Sequence, residues 1–351
     1  MMNKVSHSAS QLFSSEFGNL SALVLKRLEL EWHYHQRPDL ERADQQLLHY
    51  AIEFGRLLNV VYRFRLFSAL REECKWYVAV FGARGSRHDA FALVLESWIM
   101  AIQGLLKPPE CNELARPIQS IRDDLERLLT QASNMRKASI KTVKPALLEK
   151  LICGDVQGAR EVISEIASDL ASPDRLIVEV MLPAMAEVGQ RWESDELEIF
   201  QEHLATEAIR SLFAGLTMMI PESRQKTDAV ALVSCAPGDE HELIPLALAS
   251  YLTFQGWTVK NLGVGLPVDQ IARAVASFEP KVLFLTFTML SRLEDVLDVI
   301  VKVRRDSEHC RIILGGRSAV VAKAVLESRG ALVALDFDEG FRLACEGSID
   351  A

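Results

Sequence analysis

The C-terminal part of the sequence alternates short apolar runs with amphipathic segments, and this alternation constrains the fold more than any other feature. Five segments, the first of them the apolar run 229–235, are predicted strands: 229–235, 258–262, 282–287, 311–314 and 332–335. The segments around them have helical periodicity: 241–255, 268–278, 293–305, 319–329 and 339–345. Buried strands that alternate with helices form a parallel sheet covered by helices on both faces. The sequence therefore predicts a five-stranded α/β domain over residues 226–351.

The loop after the first predicted strand carries a carboxylate two residues before a histidine, Asp239 and His241. In open α/β sheets, ligands bind in the crevice at the carboxyl ends of the strands. A histidine there can give one ring nitrogen to a metal while a carboxylate holds the other nitrogen and fixes the tautomer. The triplet alone is equally compatible with a surface or helix-capping histidine.

Two further elements follow this loop at defined distances. Forty-one residues separate Ile244 from Thr286, and 26 residues separate Thr288 from the pair Gly315-Gly316. Together the three elements resemble the signature D-x-H-x-x-G, S-x-L, G-G of cobalamin-binding domains. The resemblance covers residues 227–350 and implies a flavodoxin-like (Rossmann-like) cobalamin-binding domain.

The resemblance also implies roles for individual residues. His241 is expected to be the lower axial ligand of cobalt, with Asp239 as its hydrogen-bond partner. Thr286 and Thr288 are expected beside the buried nucleotide tail of the cofactor, where the glycine pair Gly315-Gly316 leaves room for it.

Two positions depart from the signature. Ile244 stands where the family has glycine, and Thr288 stands where it has leucine. Ile244 places side-chain bulk where the family keeps the backbone bare, so it bears directly on how a corrin is seated. A haem or redox sensor on a cobalamin-like fold is therefore kept as an alternative.

The preceding sequence is helical in pattern and is divided into three parts. Residues 1–135 are predicted to form an all-helical sensor or interaction domain, 136–145 a polar linker, and 146–225 a second helical unit. A histidine cluster in the first part, residues 32–35 with His49, could line a tetrapyrrole pocket, although solvated or core histidines are the alternative. The second unit resembles the four-helix cap over the upper face of cobalamin in corrinoid methyltransferase subunits and cobalamin photoreceptors.

A motif within this cap separates two classes of cobalamin protein. Trp192 is followed by nine residues and then by Glu202-His203. This W-x9-E-H pattern resembles the CarH-like and AerR-like light-sensing regulators, whereas methyl-carrying subunits generally lack the Glu-His pair. The resemblance implies that Trp192 packs over the upper cobalt ligand and that Glu202 and His203 border the same pocket. His203 is expected to take the upper cobalt position after light has broken the cobalt–carbon bond. Core packing of the tryptophan and an exposed helical Glu-His pair form the alternative.

The composition of the chain argues against nucleic acid and membranes as direct partners. The 351-residue chain has a formal net charge of −9, which argues against nucleic-acid binding by a basic face. Its six cysteines lack paired spacing, which is typical of a reducing cytoplasm. No run of apolar residues reaches membrane-spanning length, so a cytoplasmic protein without membrane contact is expected.

These observations predict a cobalamin-dependent, light-sensing regulator rather than an enzyme. Adenosylcobalamin is the expected cofactor, with methyl- and hydroxocobalamin as alternatives. The sequence has no segment resembling the DNA-binding helix-turn-helix of CarH-type repressors, so output is expected through a protein partner such as a transcriptional regulator. Homo-oligomerisation remains open. A corrinoid methyl carrier in a methyltransferase system is the alternative from another class.

Overall fold

The chain divides into two compact units in the computed structural model. The structure describes residues 5–35, 44–83, 89–128, 130–131, 144–168, 170, 172–194, 196–218 and 229–346. Unit 1 consists of residues 1–140 and 190–196, and unit 2 of residues 141–189 and 197–351. Most of the predicted linker, 136–145, lies outside the described residues. Among the described helices, none is both long and apolar enough to cross a membrane.

Unit 1 is helical throughout its described part, as predicted. Its helices are α1 (His7–Ser15), α2 (Phe17–His35), α3 (Asp44–Phe64), α4 (Phe67–Ala83), α5 (Asp89–Leu105) and α6 (Glu110–Asp123). Trp98 of α5 is fully buried, and its indole nitrogen donates a hydrogen bond to the carbonyl of Ala51 at 2.9 Å. A Cβ on Gly55 would lie 2.0 Å from the Trp98 ring, so glycine is needed there for α3 and α5 to pack. Of the predicted histidine cluster, the side chains of 32–35 lie outside the described residues, and His49 is exposed.

Unit 2 begins with a helical segment that precedes the sheet. The segment comprises α7 (Pro145–Ile152), α8 (Val156–Ala167), α9 (Pro173–Leu176), a π-helical turn (Ile177–Met181), α10 (Leu182–Glu193) and α11 (Ile199–Met218). From residue 190 onward, α10 belongs to unit 1. Proline inside a helix lacks an N–H and crowds the carbonyl four residues earlier. For Pro183 that carbonyl belongs to Glu179, inside the π-helical turn, so the widened turn accommodates the proline.

The sheet of unit 2 is parallel and has the strand order β2-β1-β3-β4-β5. Its strands are β1 (Val230–Cys235), β2 (Thr258–Gly263), β3 (Val282–Thr286), β4 (Arg311–Gly315) and β5 (Leu332–Val333). The connecting and final helices are α12 (Leu243–Phe254), α13 (Val268–Phe278), α14 (Leu293–Asp306), α15 (Arg317–Val321), α16 (Lys323–Glu327) and α17 (Phe337–Cys345). This is the flavodoxin-like order, so the predicted fold class is confirmed.

Two local details differ from the prediction. The single helix expected over 319–329 is two short helices, α15 and α16, which meet at Ala322. The helix expected from residue 241 begins at Leu243. His241 therefore lies in the loop between β1 and α12, where its orientation is set by loop contacts.

Candidate functional site

The register of the sheet brings the three sequence elements to one edge. Cys235, the last residue of β1, pairs with Thr286 of β3, and Thr286 pairs with Gly315 of β4. The carboxyl ends of three neighbouring strands therefore lie side by side, next to the β1/β3 switch point where this fold binds its ligands. Elements separated by 41 and by 26 residues in sequence are adjacent because parallel strands share one carboxyl edge.

The histidine of the first element is held by a buried carboxylate. Asp239 has no solvent exposure, and its Oδ1 lies 2.5 Å from Nδ1 of His241. The backbone N–H of His241 donates to the same oxygen at 3.3 Å. With Nδ1 donating to the carboxylate, Nε2 of the imidazole carries the free lone pair. The His241 side chain is 46% exposed, so this nitrogen belongs to a ring that is accessible from outside the protein.

The second oxygen of Asp239 connects the histidine loop to the loop after β3. Its Oδ2 accepts hydrogen bonds from the backbone N–H groups of Thr288 at 2.6 Å and Met289 at 3.1 Å. Burial by itself would raise the pKa of this carboxyl. The hydrogen bond and charge of His241 and the two amides outweigh it, so the pKa of Asp239 lies below its ordinary value. Asp239 is therefore an ionised, fully bonded anchor for the His241 ring.

Thr286 is buried beneath this edge. Its hydroxyl donates to the Cys235 thiol at 3.3 Å, and both side chains are nearly inaccessible. Burial is the main cause that raises the pKa of Cys235 to about 12, which keeps it a neutral thiol. Sequence reasoning did not single out Cys235, whose role here is to satisfy the Thr286 hydroxyl from the neighbouring strand.

The glycine pair ends β4 in a conformation that side chains resist. Gly316 has a φ of +106°, and a Cβ on it would lie 2.7 Å from the carbonyl oxygen of Phe287. At Gly315 an added Cβ would make an ordinary van der Waals contact, 3.9 Å from the carbonyl oxygen of Ala334. Two residues on, the buried Ser318 hydroxyl donates to the carbonyl of Thr288 at 2.5 Å. The backbone of the second element is thus held from both sides, by Asp239 and by Ser318, a residue that no sequence signal indicated.

Ile244, the departure from the signature, is the second residue of α12 and is half-buried. Its backbone N–H donates to the carbonyl of His241 at 3.4 Å. Its position at the start of the helix leaves the Asp239–His241 hydrogen bond intact. The isoleucine is therefore compatible with a correctly oriented histidine.

Glu202 and His203 lie in the first turn of α11 but differ in environment. Glu202 is half-buried, and its Oε1 accepts a hydrogen bond from the Thr206 hydroxyl at 2.9 Å. The His203 side chain is 73% exposed, with its Nδ1 3.9 Å from the Glu202 carboxylate. Because neighbours on a helix point about 100° apart, the two side chains have separate directions.

The face of α11 that carries His203 is the face that meets the His241 loop. Ile199, His203, Thr206 and Arg210 are spaced i, i+4, i+7 and i+11, which places them on one side of a helix. Arg210 forms an ion pair with Glu242, the residue after His241. His203 therefore lies two turns, about 10 Å along the helix axis, from a direct contact with the histidine loop.

Trp192 is half-buried at the end of α10. It belongs to the segment 190–196, which groups with the helices of unit 1 rather than with α11 and the sheet. The predicted cap residues are thus divided between the two units, with Trp192 in one and Glu202 and His203 in the other.

The residues of unit 2 fit the lower side of a corrin. The edge offers an accessible imidazole with a fixed tautomer and a free nitrogen for a metal. Beside it lie a glycine pair, Gly315-Gly316, which keeps the backbone free of side chains, and a buried threonine, Thr286. The neutral imidazole of His241 would be a suitable donor to the cobalt of a corrin.

Comparison with protein families identifies the class. The helical segment, residues 144–217, and the sheet domain, residues 229–341, each match a family model described as a B12 binding domain. Together the two matches cover more than half of the 351-residue chain. The fold and the site therefore define a cobalamin-binding protein.

Individual cobalamin and corrinoid proteins resemble this chain. The HTH-type transcriptional repressor CarH of Myxococcus xanthus is 27% identical over 219 residues, which is 62% of this chain and 72% of CarH. The trimethylamine corrinoid protein of Methanosarcina barkeri is 27% identical over 149 residues, 40% of this chain and 67% of that protein. The structure of the monomethylamine corrinoid protein of Methanosarcina barkeri covers 57% of this chain and 95% of its own, with 19% identity and a TM-score of 0.46. The chain therefore belongs to the proteins with B12 binding domains and is similar to CarH, and its cofactor is cobalamin.

Proposed function

We propose that this protein is a light-sensing regulator that uses cobalamin as its chromophore. When bound, cobalamin supplies a light-labile bond between cobalt and an upper ligand, for which we propose 5'-deoxyadenosyl. The similarity to a transcriptional repressor over 72% of that repressor supports a regulatory role. The single observation that carries the light-sensing part is the position of His203 on the α11 face that reaches the His241 loop.

In this proposal the two histidines act on opposite sides of the corrin. Asp239 holds Nδ1 of His241, so the Nε2 lone pair would be free to bind the metal from the lower side. His203 is 73% exposed and lies 3.9 Å from the Glu202 carboxylate, so its ring would be accessible to a metal on the upper side. Thr206 fixes Glu202 on the same helix, where the carboxylate can accept hydrogen bonds from the ribose of an adenosyl group. Trp192 is proposed to shield the upper ligand from water with its flat indole.

Replacement of His203 tests its proposed role on the upper side. We expect His203→Ala to retain adenosylcobalamin in the dark as the wild type does and to lose the bis-histidine spectrum after green light. The matched control is His309→Ala, since His309 is also exposed but lies before β4, at the opposite edge of the sheet. An illuminated spectrum of His203→Ala identical to that of the wild type would contradict the proposed role.

The output is proposed to pass to a protein partner that controls transcription, or to a change in self-association of this chain. A shift between two states requires contacts that differ between them, and His203 and Trp192 belong to different units of the chain. A gel shift in the dark and in light tests the rival view that the protein itself binds DNA. Retarded DNA at physiological salt would refute output through a protein partner alone.

A corrinoid methyl carrier is the second candidate. It is favoured by the 27% identity to the trimethylamine corrinoid protein of Methanosarcina barkeri. Both candidates need His241 and the cap, and they differ in the use of His203. Transfer of a methyl group from the cofactor-loaded protein to a thiol acceptor, without any response to light, would favour the carrier.

A further inference from the structure

The helix that carries Trp192 is preceded by a π-helical turn. Residues Ile177–Met181 form this turn between the four-residue helix α9 and α10. Immediately after it, Pro183 has no N–H to offer the carbonyl of Glu179, four residues earlier. The regular helical hydrogen bonding is therefore interrupted where α9 passes into α10. Prolines and π-helical turns are the sites at which helices bend.

The chain on the N-terminal side of this turn is anchored to the sheet domain. The buried Asp174 of α9 accepts a hydrogen bond from the Gln255 amide at 3.2 Å, at the end of α12. The next residue, Arg175, donates to Asp338 of α17 at 3.0 Å. The same carboxylate accepts the hydroxyl of the buried Tyr251 at 2.6 Å. Because α9 also packs against α12, packing and polar contacts together hold it on the sheet domain.

The chain on the C-terminal side of the turn is held differently. The helices α7, α8 and α11 pack against one another, and α11 packs against α12. Within the described part of unit 2, α10 forms no comparably close pair with any of these four helices. Its buried side chains there are the apolar Ala184 and Val188, and apolar burial is non-directional. The helix can therefore change direction while α7, α8, α11 and α12 keep their packing.

We propose that the π-helical turn is a hinge on which α10 swings when cobalamin binds, with α9 as the fixed side and Trp192 at the moving end. A hinge of this kind needs only a few residues at the end of an element to absorb the rotation. Trp192 lies eleven residues beyond Met181. At about 1.5 Å per residue this is roughly 16 Å of helix, so a rotation of about 10° moves the indole by roughly 3 Å.

The inference rests on the proposed function in one respect, namely that Trp192 covers the upper side of the cofactor. It does not require a response to light. The last turn of α10, from residue 190, groups with unit 1, whereas residues 182–189 belong to unit 2. A hinge at the start of the helix therefore gives one element that both reaches the cofactor and belongs to the N-terminal helical unit.

Two substitutions of Pro183 test the hinge. Both restore the N–H that the Glu179 carbonyl lacks, but alanine favours a continuous stiff helix and glycine leaves the backbone flexible. Pro117→Ala is the matched control, because Pro117 also lies inside a helix, α6 of unit 1, which contains no π-helical turn. The full chain is used for the wild type and all three variants.

Two measurements follow the swing of α10 in the dark. Hydrogen exchange of peptides that cover residues 177–193 is recorded by mass spectrometry without and with hydroxocobalamin. The association rate of hydroxocobalamin is recorded by stopped-flow absorption, since binding that requires a conformational change is slowed when the change is hindered.

The proposal predicts that cobalamin slows exchange in residues 177–193 of the wild type. Pro183→Ala should exchange more slowly there before cobalamin is added and should bind it about fivefold more slowly, the factor that separates alanine from glycine inside a helix. Pro183→Gly and Pro117→Ala should bind it at the wild-type rate.

Equal association rates for Pro183→Ala and Pro183→Gly would overturn the hinge. The same conclusion would follow from equal slowing in Pro117→Ala, or from cobalamin binding that leaves exchange in 177–193 unchanged. A wild type that shows the predicted exchange and rates, but whose adenosylcobalamin spectrum does not respond to light, would refute light sensing and support the hinge.

Discussion

Replacement of Asp239 by asparagine tests how the carboxylate prepares His241 for cobalt. The substitution conserves size, so no cavity forms around this fully buried side chain. The asparagine oxygen can still accept from the amides of Thr288 and Met289, which leaves its NH2 group facing Nδ1 of His241. The imidazole must then accept at Nδ1 and carry its proton on Nε2, the nitrogen needed for the metal.

The expected magnitude follows from the bonds that change. A hydrogen bond to a charged group contributes about 1.5–3 kcal/mol, and the 2.5 Å contact between Asp239 and His241 is of that kind. Loss of a carboxylate that orients a metal-binding histidine lowers metal affinity by about 10–100-fold. We therefore expect cobalamin to bind Asp239→Asn about 10–100-fold more weakly, with the nitrogen coupling from His241 absent in the cobalt(II) EPR spectrum.

Equilibrium dialysis against cobalamin measures the affinity, and the EPR spectrum identifies the ligand. Asp269→Asn is the control, because Asp269 also has a lowered pKa from its hydrogen bond to Lys302 but lies on the surface of α13. The control should bind cobalamin like the wild type. An Asp239→Asn variant with wild-type affinity and an intact nitrogen coupling would refute the tautomer argument.

Three further predictions concern stability. Because the pKa of Asp239 is lower in the folded than in the unfolded protein, its stabilisation is complete above the unfolded pKa of about 4 and is lost as pH falls through the folded pKa. Urea unfolding should therefore show the gap in unfolding free energy between wild type and Asp239→Asn closing below about pH 4, and a constant gap would contradict this. Gly316→Ala should lose more stability than Gly330→Ala by over ~1 kcal/mol, since both have positive φ but only at Gly316 would a Cβ meet a backbone atom, at 2.7 Å; equal losses would contradict the overlap. Tyr251→Phe should lower the free energy of unfolding by about 1 kcal/mol, because the buried hydroxyl donates to Asp338 at 2.6 Å, and an unchanged urea midpoint would count against that bond.

The sheet was predictable because its pattern is local. Each buried strand appears in the sequence as an apolar run, and β3 (Val282–Thr286) is buried along its whole length. Once the strands are parallel, their shared carboxyl edge places Thr286 between Cys235 and Gly315. The meeting of the three motif elements therefore follows from strand alternation and one rule about parallel sheets.

The contacts that orient the site were not predictable in the same way. The bond from Asp239 to the amide of Thr288 joins backbone and side chain across 49 residues, and backbone donors have no sequence signature. The Arg210–Glu242 pair depends on how α11 packs beside the loop, which periodicity does not specify. A helix can relieve the clash between Pro183 and the carbonyl of Glu179 either by a kink or by a π-helical turn. The sequence does not specify which of the two forms.

The roles proposed for the upper-side residues rest on the spacing of a sequence motif. The sequence motif unites Trp192, Glu202 and His203 by spacing alone. In the structure Glu202 and His203 are placed by α11, while Trp192 groups with unit 1. The spacing of a motif carries no information about which compact unit holds each of its residues.

The absorption spectrum of the full chain, reconstituted with adenosylcobalamin in the dark, desalted, and recorded before and after green light, tests the central claim most directly. The account predicts that the corrin is retained and that illumination converts its spectrum to a bis-histidine form within the same protein fraction. A retained corrin with an identical spectrum before and after light would contradict light sensing. Loss of the corrin on desalting would contradict the assignment of His241, held by Asp239, as its ligand.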